Sequence, residues 1–134
     1  MHKAIEFMKE ALKEAQISKA KNNIPIGAII VHQNQIIARA HNDSFWHAEI
    51  LCIQNAQKKL GNQLLNTTIF ITVEPCPMCM HAIKLARIPH VIFGTENKNE
   101  PLPLPEIIGN ICENDAKELM QNFFIQKRNK NLDF

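Results

Sequence analysis

The chain has 134 residues, of which 46% are hydrophobic and 21% charged, with four glycines and seven prolines. This composition excludes a disordered or fibrous protein, and the length predicts one domain over residues 1–134. The formal net charge of +2 is too small to indicate nucleic-acid binding without a local basic patch. The longest apolar stretch, residues 26–31, is far shorter than a membrane span, and acidic residues interrupt the N-terminal segment. We therefore expect a cytoplasmic protein that does not enter the membrane.

Hydrophobic periodicity predicts a helix, a hairpin and a second helix in the first half of the chain. Apolar residues recur at helical spacing over residues 2–20. Two short strands follow at 28–31 and 35–40, and the turn Gln33-Asn34 joins them. Helical spacing returns over residues 47–60 and ends at a glycine.

The second half alternates strands with helices around one proline-rich loop. In chain order, we predict a strand over 67–73, a helix over 76–87, a strand over 90–93, a loop over 95–105, a weak strand over 106–111 and a helix from 114 or 115 to about 128. This alternation predicts an α/β sandwich, with a hairpin at its start and parallel crossovers after it. The sheet is therefore expected to be mixed and five-stranded.

Two short motifs carry the residues best suited to chemistry. They are His47-Ala48-Glu49 and Pro75-Cys76-Pro77-Met78-Cys79, and each falls at a predicted strand-to-helix junction. Ligands collect beyond the carboxyl ends of strands in open α/β sheets, so both motifs can face one cleft. A helix N-terminus also favours the thiolate form of cysteine, because it carries partial positive charge.

Two cysteines and one histidine form a candidate zinc site. Cys76 and Cys79 can bind one ion from the start of a helix, and His47 can supply a third bond, which leaves the fourth position for water. Zinc lowers the pKa of that water toward about 7, so hydroxide is available as a nucleophile at neutral pH. Glu49 is close enough to His47 in sequence to transfer protons during attack on an aromatic amidine carbon.

Two other interpretations of the cysteines stay open at this stage. The Cys-x-x-Cys pair could be a dithiol redox pair, although His47 and Glu49 have no part in that chemistry. A closed structural zinc site would need a fourth ligand, for which Cys52, His81 and Cys112 are candidates. The catalytic interpretation is favoured because it uses both motifs.

The motifs and their surroundings resemble the bacterial tRNA-specific adenosine deaminases of the zinc-dependent cytidine and deoxycytidylate deaminase superfamily. The matching stretches are Ile24-Pro25-Ile26-Gly27-Ala28, His41-Asn42, His47-Ala48-Glu49-Ile50, Thr72-Val73-Glu74-Pro75-Cys76-Pro77-Met78-Cys79, Ala86-Arg87-Ile88, Phe93-Gly94 and, near the end, Phe123-Phe124 with Lys127-Arg128. The resemblance implies a three-layer α/β/α sandwich of the cytidine-deaminase type. It also implies a homodimer whose active sites lie near the subunit interface.

The function implied by this resemblance is zinc-dependent hydrolysis of adenosine to inosine at the wobble position of a tRNA anticodon loop. The zinc ligands would be His47, Cys76 and Cys79, with a zinc-bound hydroxide as the nucleophile. Glu49 would be the proton shuttle. The implied substrate contacts are the Asn42 side chain, Ile26, and the backbone around Ala48 and Pro75.

The basic end of the last predicted helix has two interpretations. Phe123 beside Lys127 and Arg128 combines a base-stacking ring with phosphate-binding cations, which is typical of RNA contacts. The same residues could instead pack the ring on the sheet and place cations at a helix C-terminus.

Two segments are shorter or different from what the family usually carries. Only Asp43-Ser44-Phe45-Trp46 separates Asn42 from His47, where the family usually has a longer, proline-containing loop. Phe45 and Trp46 could cover the cleft or stack on a base, or they could pack as a hydrophobic staple before the helix. The segment after Gly94 also differs.

Two further functions remain open on the sequence alone. The short loops favour a deaminase of a free nucleobase, nucleoside or nucleotide, of the guanine or cytosine type. An inactive subunit that binds RNA or a partner deaminase is also conceivable, but it would have no need of Glu49. His41, beside Asn42, could contact the pocket in any of these cases.

Overall fold

A computed structural model describes residues 2–97 and 107–132 of the chain. In these described residues, four helices and five strands follow one another in the predicted order. They are α1 (His2–Ala20), β1 (Gly27–His32), β2 (Gln35–His41), α2 (Ala48–Leu60), β3 (Thr67–Val73), α3 (Pro77–Leu85), β4 (His90–Thr95), β5 (Ile107–Ile108) and α4 (Glu113–Leu132). None of the helices in this part of the chain combines the length and apolar character that a membrane crossing needs.

The strands form one mixed sheet in the order β2-β1-β3-β4-β5. β1 runs antiparallel to both β2 and β3, with Ala28 opposite Ala40 on one side and Ile71 on the other. β3, β4 and β5 are parallel to one another. The shared antiparallel neighbour makes β2 and β3 point the same way, so their carboxyl ends lie at the same edge of the sheet.

Alternating side chains of the central strands pack against helices on both faces of the sheet. On one face, Ile30, Ile69 and Ile71 belong to a buried cluster that also contains residues of α2 and α3. On the other face, Ile29 and Phe70 belong to a second cluster that contains residues of α1 and α4. The predicted three-layer α/β/α sandwich with a mixed five-stranded sheet is therefore confirmed.

The fifth strand is much shorter than predicted. It contains Ile107–Ile108 instead of residues 106–111. Asn110 and Cys112 have positive φ angles, so the backbone leaves the extended conformation directly after the strand. Of the predicted loop over 95–105, residues 98–105 lie outside the described residues.

Three other elements end two or more residues away from their predicted ends. β4 continues past Gly94 because Thr95 still pairs with Val73. α3 ends at Leu85 rather than 87, since Arg87 has a φ of 65° and terminates the helical backbone. α4 begins at Glu113 and ends at Leu132, one residue before and about one turn after the predicted bounds.

Gly27 brings the start of β1 against the backbone of α1. A Cβ at this position would lie 2.1 Å from the Ala11 carbonyl oxygen and 2.5 Å from the Ala15 amide nitrogen. Only a residue without a side chain therefore allows α1 to pack this closely on the sheet.

We expect Gly27→Ala to destabilise the protein, because α1 must move away from β1 to admit the methyl group. The expected loss in the free energy of unfolding is about 1–3 kcal/mol or more, measured by urea denaturation. Gln35→Ala, on the exposed start of β2, should leave the midpoint unchanged. A Gly27→Ala midpoint equal to that of the wild type would contradict the close approach.

Candidate metal centre

The two motifs lie at the N-termini of the two helices that cover one face of the sheet. His47 is the N-cap residue of α2 and Cys76 is the N-cap residue of α3, both with extended backbone. Pro77 follows as the first residue of α3, where a missing N–H costs no helical hydrogen bond. Cys79 then falls at the third position of the helix. Because α2 follows β2 and α3 follows β3, both N-termini meet at the same edge of the sheet.

His47, Cys76 and Cys79 bring their ligand atoms within 4.8 Å of one another. The His47 Nδ1 atom lies 3.7 Å from the Cys76 sulfur and 3.2 Å from the Cys79 sulfur. Tetrahedral zinc bonds of about 2.3 Å to sulfur and about 2.0–2.1 Å to nitrogen put such atoms about 3.6 Å apart. The separations therefore fit one zinc ion bound by three protein ligands.

No fourth protein ligand completes this group within residues 2–97 and 107–132. Cys52 is fully buried in the core cluster beneath α2, and burial raises the pKa of its thiol. Cys112 packs against the opposite face of the sheet, next to α1 and α4. The described residues thus leave one position of a tetrahedral ion open, as a catalytic site requires.

Burial, rather than the helix N-terminus, has the largest effect on the pKa of the Cys79 thiol. Cys79 is fully buried, and desolvation raises the pKa of its thiol, with the nearby Glu49 charge acting in the same direction. The sequence had suggested that the helix N-terminus would favour the thiolate. A bound cation supplies the positive charge that the buried sulfur lacks, so metal binding and thiol deprotonation are coupled.

Glu49 is a buried carboxyl group in the first turn of α2. Its side chain is 3% exposed, and its Oε1 atom has no hydrogen-bond partner in the described structure. Burial raises the pKa of this carboxyl above its ordinary value. A buried polar atom without a partner costs stability unless a ligand satisfies it. The Glu49 carboxyl also interacts with the Cys79 side chain, so it lies next to the metal group.

Asn42 connects the end of β2 to the start of α2. Its Oδ1 atom accepts a 2.7 Å hydrogen bond from the Ala48 N–H, and its own N–H donates to the Ile26 carbonyl oxygen at 3.0 Å. The buried Ser18 hydroxyl, 2.8 Å from the Asn42 carbonyl oxygen, holds the same residue from α1. Because Oδ1 accepts from the backbone, the Nδ2 group of Asn42 is the donor that can face a ligand.

The other predicted substrate contacts differ in how they are placed. Pro75 is buried beside Cys76, and Ala48 is buried with its N–H already bonded to Asn42. Ile26 is half-buried and packs against the core. Their substrate roles stay predictions, with the Ala48 N–H satisfied by the protein itself.

The predicted RNA contacts Phe123, Lys127 and Arg128 all lie on α4. α4 covers the opposite face of the sheet from α2 and α3. Phe123 is 6% exposed and its ring lies 5.8 Å from the Lys127 ammonium group. Arg128 is exposed, and Phe124 is the exposed aromatic residue of this helix. The proposed contacts of Phe123, Lys127 and Arg128 with RNA remain predictions.

The structure contains an ion-pair network between α1 and β2 that the sequence did not predict. The buried Glu14 carboxylate accepts hydrogen bonds from Arg39 Nε at 2.7 Å and pairs with His41 Nδ1 at 3.0 Å. Although burial opposes it, these two partners lower the pKa of Glu14. His41 therefore points toward α1 instead of the pocket. Within α1, Glu14 has no sequence signal that distinguishes it from the solvated acids around it.

Residues 1–95 match the family described as the cytidine and deoxycytidylate deaminase zinc-binding region. The chain belongs to this family. The match includes both motifs, and the family's description identifies zinc as the metal that the His47, Cys76 and Cys79 group fits. The family resemblance inferred from the motifs is thus confirmed.

Individual relatives carry the name tRNA-specific adenosine deaminase. One from Streptococcus pyogenes is 52% identical over 99 residues, covering 69% of this chain and 62% of the relative. One from Bacillus subtilis is 36% identical over 148 aligned positions, covering 92% of this chain and 90% of the relative. The chain thus spans somewhat less than two-thirds of the Streptococcus relative. The alignment with the Bacillus protein exceeds the length of this chain, so that relative carries insertions.

A solved structure from work on A-to-I editing by tRNA:A34 deaminases at the wobble position of transfer RNA has the same architecture. It is 30% identical to this chain and superimposes with a TM-score of 0.78, covering 85% of this chain and 98% of the other. Nearly the whole of that protein is therefore represented in this fold.

We expect Cys76→Ser and Cys79→Ser to lose bound zinc, because each removes one of three protein ligands. Zinc per chain, measured by elemental mass spectrometry after extensive dialysis, should fall from about one to near zero. Cys112→Ser removes a thiol on the opposite face of the sheet and should keep the full equivalent. Full zinc occupancy in both motif variants would show that the ligand set is different.

Proposed function

We propose that this protein catalyses the zinc-dependent hydrolytic deamination of adenosine to inosine in the anticodon loop of a tRNA. The observation that carries the proposal is the buried Glu49 carboxyl, without a protein partner at Oε1, beside a three-residue metal group. A structural zinc site needs no such carboxyl, whereas hydrolysis of an aromatic amine needs a group that moves protons. The same feature argues against an inactive subunit.

In the proposed mechanism, the role of the metal is to activate water. His47, Cys76 and Cys79 would hold the zinc ion, which when bound would make water available as a nucleophile near neutral pH. Water adds its oxygen to the carbon that carries the amino group, and the carbon–nitrogen bond then breaks to release ammonia. The products are inosine and ammonia, so the reaction requires no oxidant or reductant.

Glu49 provides the proton transfers that this reaction requires. Its carboxylate accepts a proton from the attacking water and delivers it to the ring nitrogen next to the reacting carbon. The carboxylate then takes the second proton from the oxygen now bonded to the reacting carbon and delivers it to the amino group, which leaves as ammonia while the carbon–oxygen double bond forms. The burial that raises the pKa of Glu49 suits this role, because a carboxyl with an elevated pKa both accepts and returns a proton near neutral pH.

Asn42 orients the base in the proposed complex. The Ala48 N–H bond fixes its amide, so the Nδ2 group donates toward the substrate from a constant position. A purine offers ring nitrogens as acceptors for such a donor. The rigid placement of Asn42 by α1, β1 and α2 limits the substrate poses that can place the reacting carbon near Glu49.

The choice of tRNA over a free base is supported by the named relatives of this chain. The Streptococcus and Bacillus proteins are called tRNA-specific adenosine deaminases, and the exposed Arg128 with the half-buried Lys127 offers cations for phosphates. An anticodon loop presents unpaired bases, so the target atom is not buried in a duplex. We further propose a cytoplasmic homodimer with its active sites near the subunit interface.

Glu49→Gln should reduce turnover by about two to four orders of magnitude while zinc stays bound, because the amide cannot accept and return protons. Inosine formation measured by reverse-transcription sequencing or nucleoside chromatography checks the rate, and elemental analysis checks the metal. Glu6→Gln on the exposed side of α1 is the matched control and should keep wild-type turnover. Near-normal activity of Glu49→Gln would rule out the proton-shuttle role.

Substrate choice separates tRNA from small molecules. Zinc-loaded protein should convert an adenosine-bearing anticodon stem-loop to its inosine form and leave free adenosine, guanine and cytosine unchanged. The readouts are chromatography of digested nucleosides and ammonia release. Turnover of guanine or cytosine without turnover of the stem-loop would assign the chain to the free-base deaminases and overturn the tRNA proposal.

A further inference from the structure

We propose that Phe45 and Trp46 form an aromatic platform that stacks on a nucleotide adjacent to the target base in a single-stranded RNA substrate. The inference rests on the proposed function and assigns it a specificity-determining contact. Phe45 is 90% exposed and Trp46 is 59% exposed. The hydrophobic-staple interpretation requires buried rings, so this exposure contradicts it.

The platform is held by a tight turn. The Asp43 N–H donates to the Trp46 carbonyl oxygen at 3.0 Å, and the Trp46 N–H donates to the Asp43 carbonyl oxygen at 2.9 Å. The Asn23 side chain accepts a hydrogen bond from the Ser44 N–H at 3.3 Å, which fastens the turn to the end of α1. Two exposed rings on a fixed backbone offer contact area at little cost in conformational entropy.

The platform is next to the metal group along the chain. Trp46 directly precedes His47, so their Cα atoms lie about 3.8 Å apart. The turn lies between Asn42, which bonds to the start of α2, and His47 of the metal group, and we place the nucleotide that flanks a bound base against its two exposed rings. A free nucleobase has no flanking nucleotide and could not use this contact.

The charges around the turn favour a nucleotide as the occupant. The exposed Lys21 ammonium group, at the end of α1, lies 3.3 Å from His41 Nε2, one residue before Asn42. Asp43 is the one acidic residue of the turn, and Ser44 is its other polar residue. An exposed cation and exposed rings on neighbouring segments can together bind single-stranded nucleic acid, by attraction to the phosphate and stacking on the base.

The chain offers a direct spectroscopic readout, because Trp46 is its only tryptophan and it has no tyrosine. Zinc-loaded protein is titrated with an anticodon stem-loop that carries, at the target position, a purine without the 6-amino group, so that nothing is consumed. We expect the Trp46 emission to be quenched as the RNA saturates the protein, since a base stacks on the indole.

Substitutions test whether the contact contributes to binding. Trp46→Ala should weaken the Kd for the stem-loop on the order of tenfold or more, and Trp46→Phe should restore most of it because a ring is kept. Leu65→Ala is the matched control, since Leu65 is 55% exposed but precedes β3 at the opposite edge of the sheet. Lys21→Gln should reduce the slope of log Kd against log salt by about 0.7.

Several outcomes would overturn the platform. One is an equal Kd for Trp46→Ala, Leu65→Ala and the wild type by fluorescence anisotropy. Another is unchanged tryptophan emission at saturation. A third is a change of oligomeric state alone. If sedimentation velocity shows that the wild type is a dimer and Trp46→Ala a monomer, and both bind the RNA with the same Kd, the rings belong to a subunit interface. Quenching and weakened binding, without inosine formation on the adenosine stem-loop, would support the platform and refute the proposed function.

Discussion

The position of the metal group depends on the hydrogen bonds of Asn42. This residue bonds to Ile26 before β1, to Ser18 in α1 and to the first N–H of α2. Loss of any one bond would leave a buried polar group unsatisfied, which costs more than the bond itself contributes. His47 therefore caps α2 at a point fixed from α1 and from the segment before β1, and its imidazole lies close to the sulfurs of Cys76 and Cys79.

The sequence predicts the order of elements and the ligand group because both depend on local signals. The spacing of hydrophobic residues predicts each long helix and strand, and the spacing of the His and Cys residues in the two motifs predicts the metal ligands. The predicted length of β5 is wrong because the positive φ angles at Asn110 and Cys112 have no reliable signature in a chain rich in asparagine. The Glu14 network and the Ser18 bond escape prediction because they join residues 24 or more positions apart. Phe45 and Trp46 show a related limit, since sequence cannot tell an exposed ring from a buried one.

The edge of the sheet that carries the metal group contains buried groups that lower the stability of the fold. Glu49 places a carboxyl in a buried position with one oxygen unsatisfied, and Cys79 places a thiol beside it. The remainder of the interior compensates with two well-packed apolar clusters on the two faces of the sheet. Local departures from good packing rules that cluster at one edge of an otherwise consistent fold are typical of functional sites.

The His47, Cys76 and Cys79 group also has a mechanical consequence. An ion bound there ties the first turn of α2 to the first turn of α3 and closes a loop that contains α2 and β3. Such a cross-link restricts the unfolded chain much as a disulfide does, and ligand binding to the native state adds to its stability. A bound ion would thus join two helices that are far apart in the chain, and its removal would lower the free energy of unfolding.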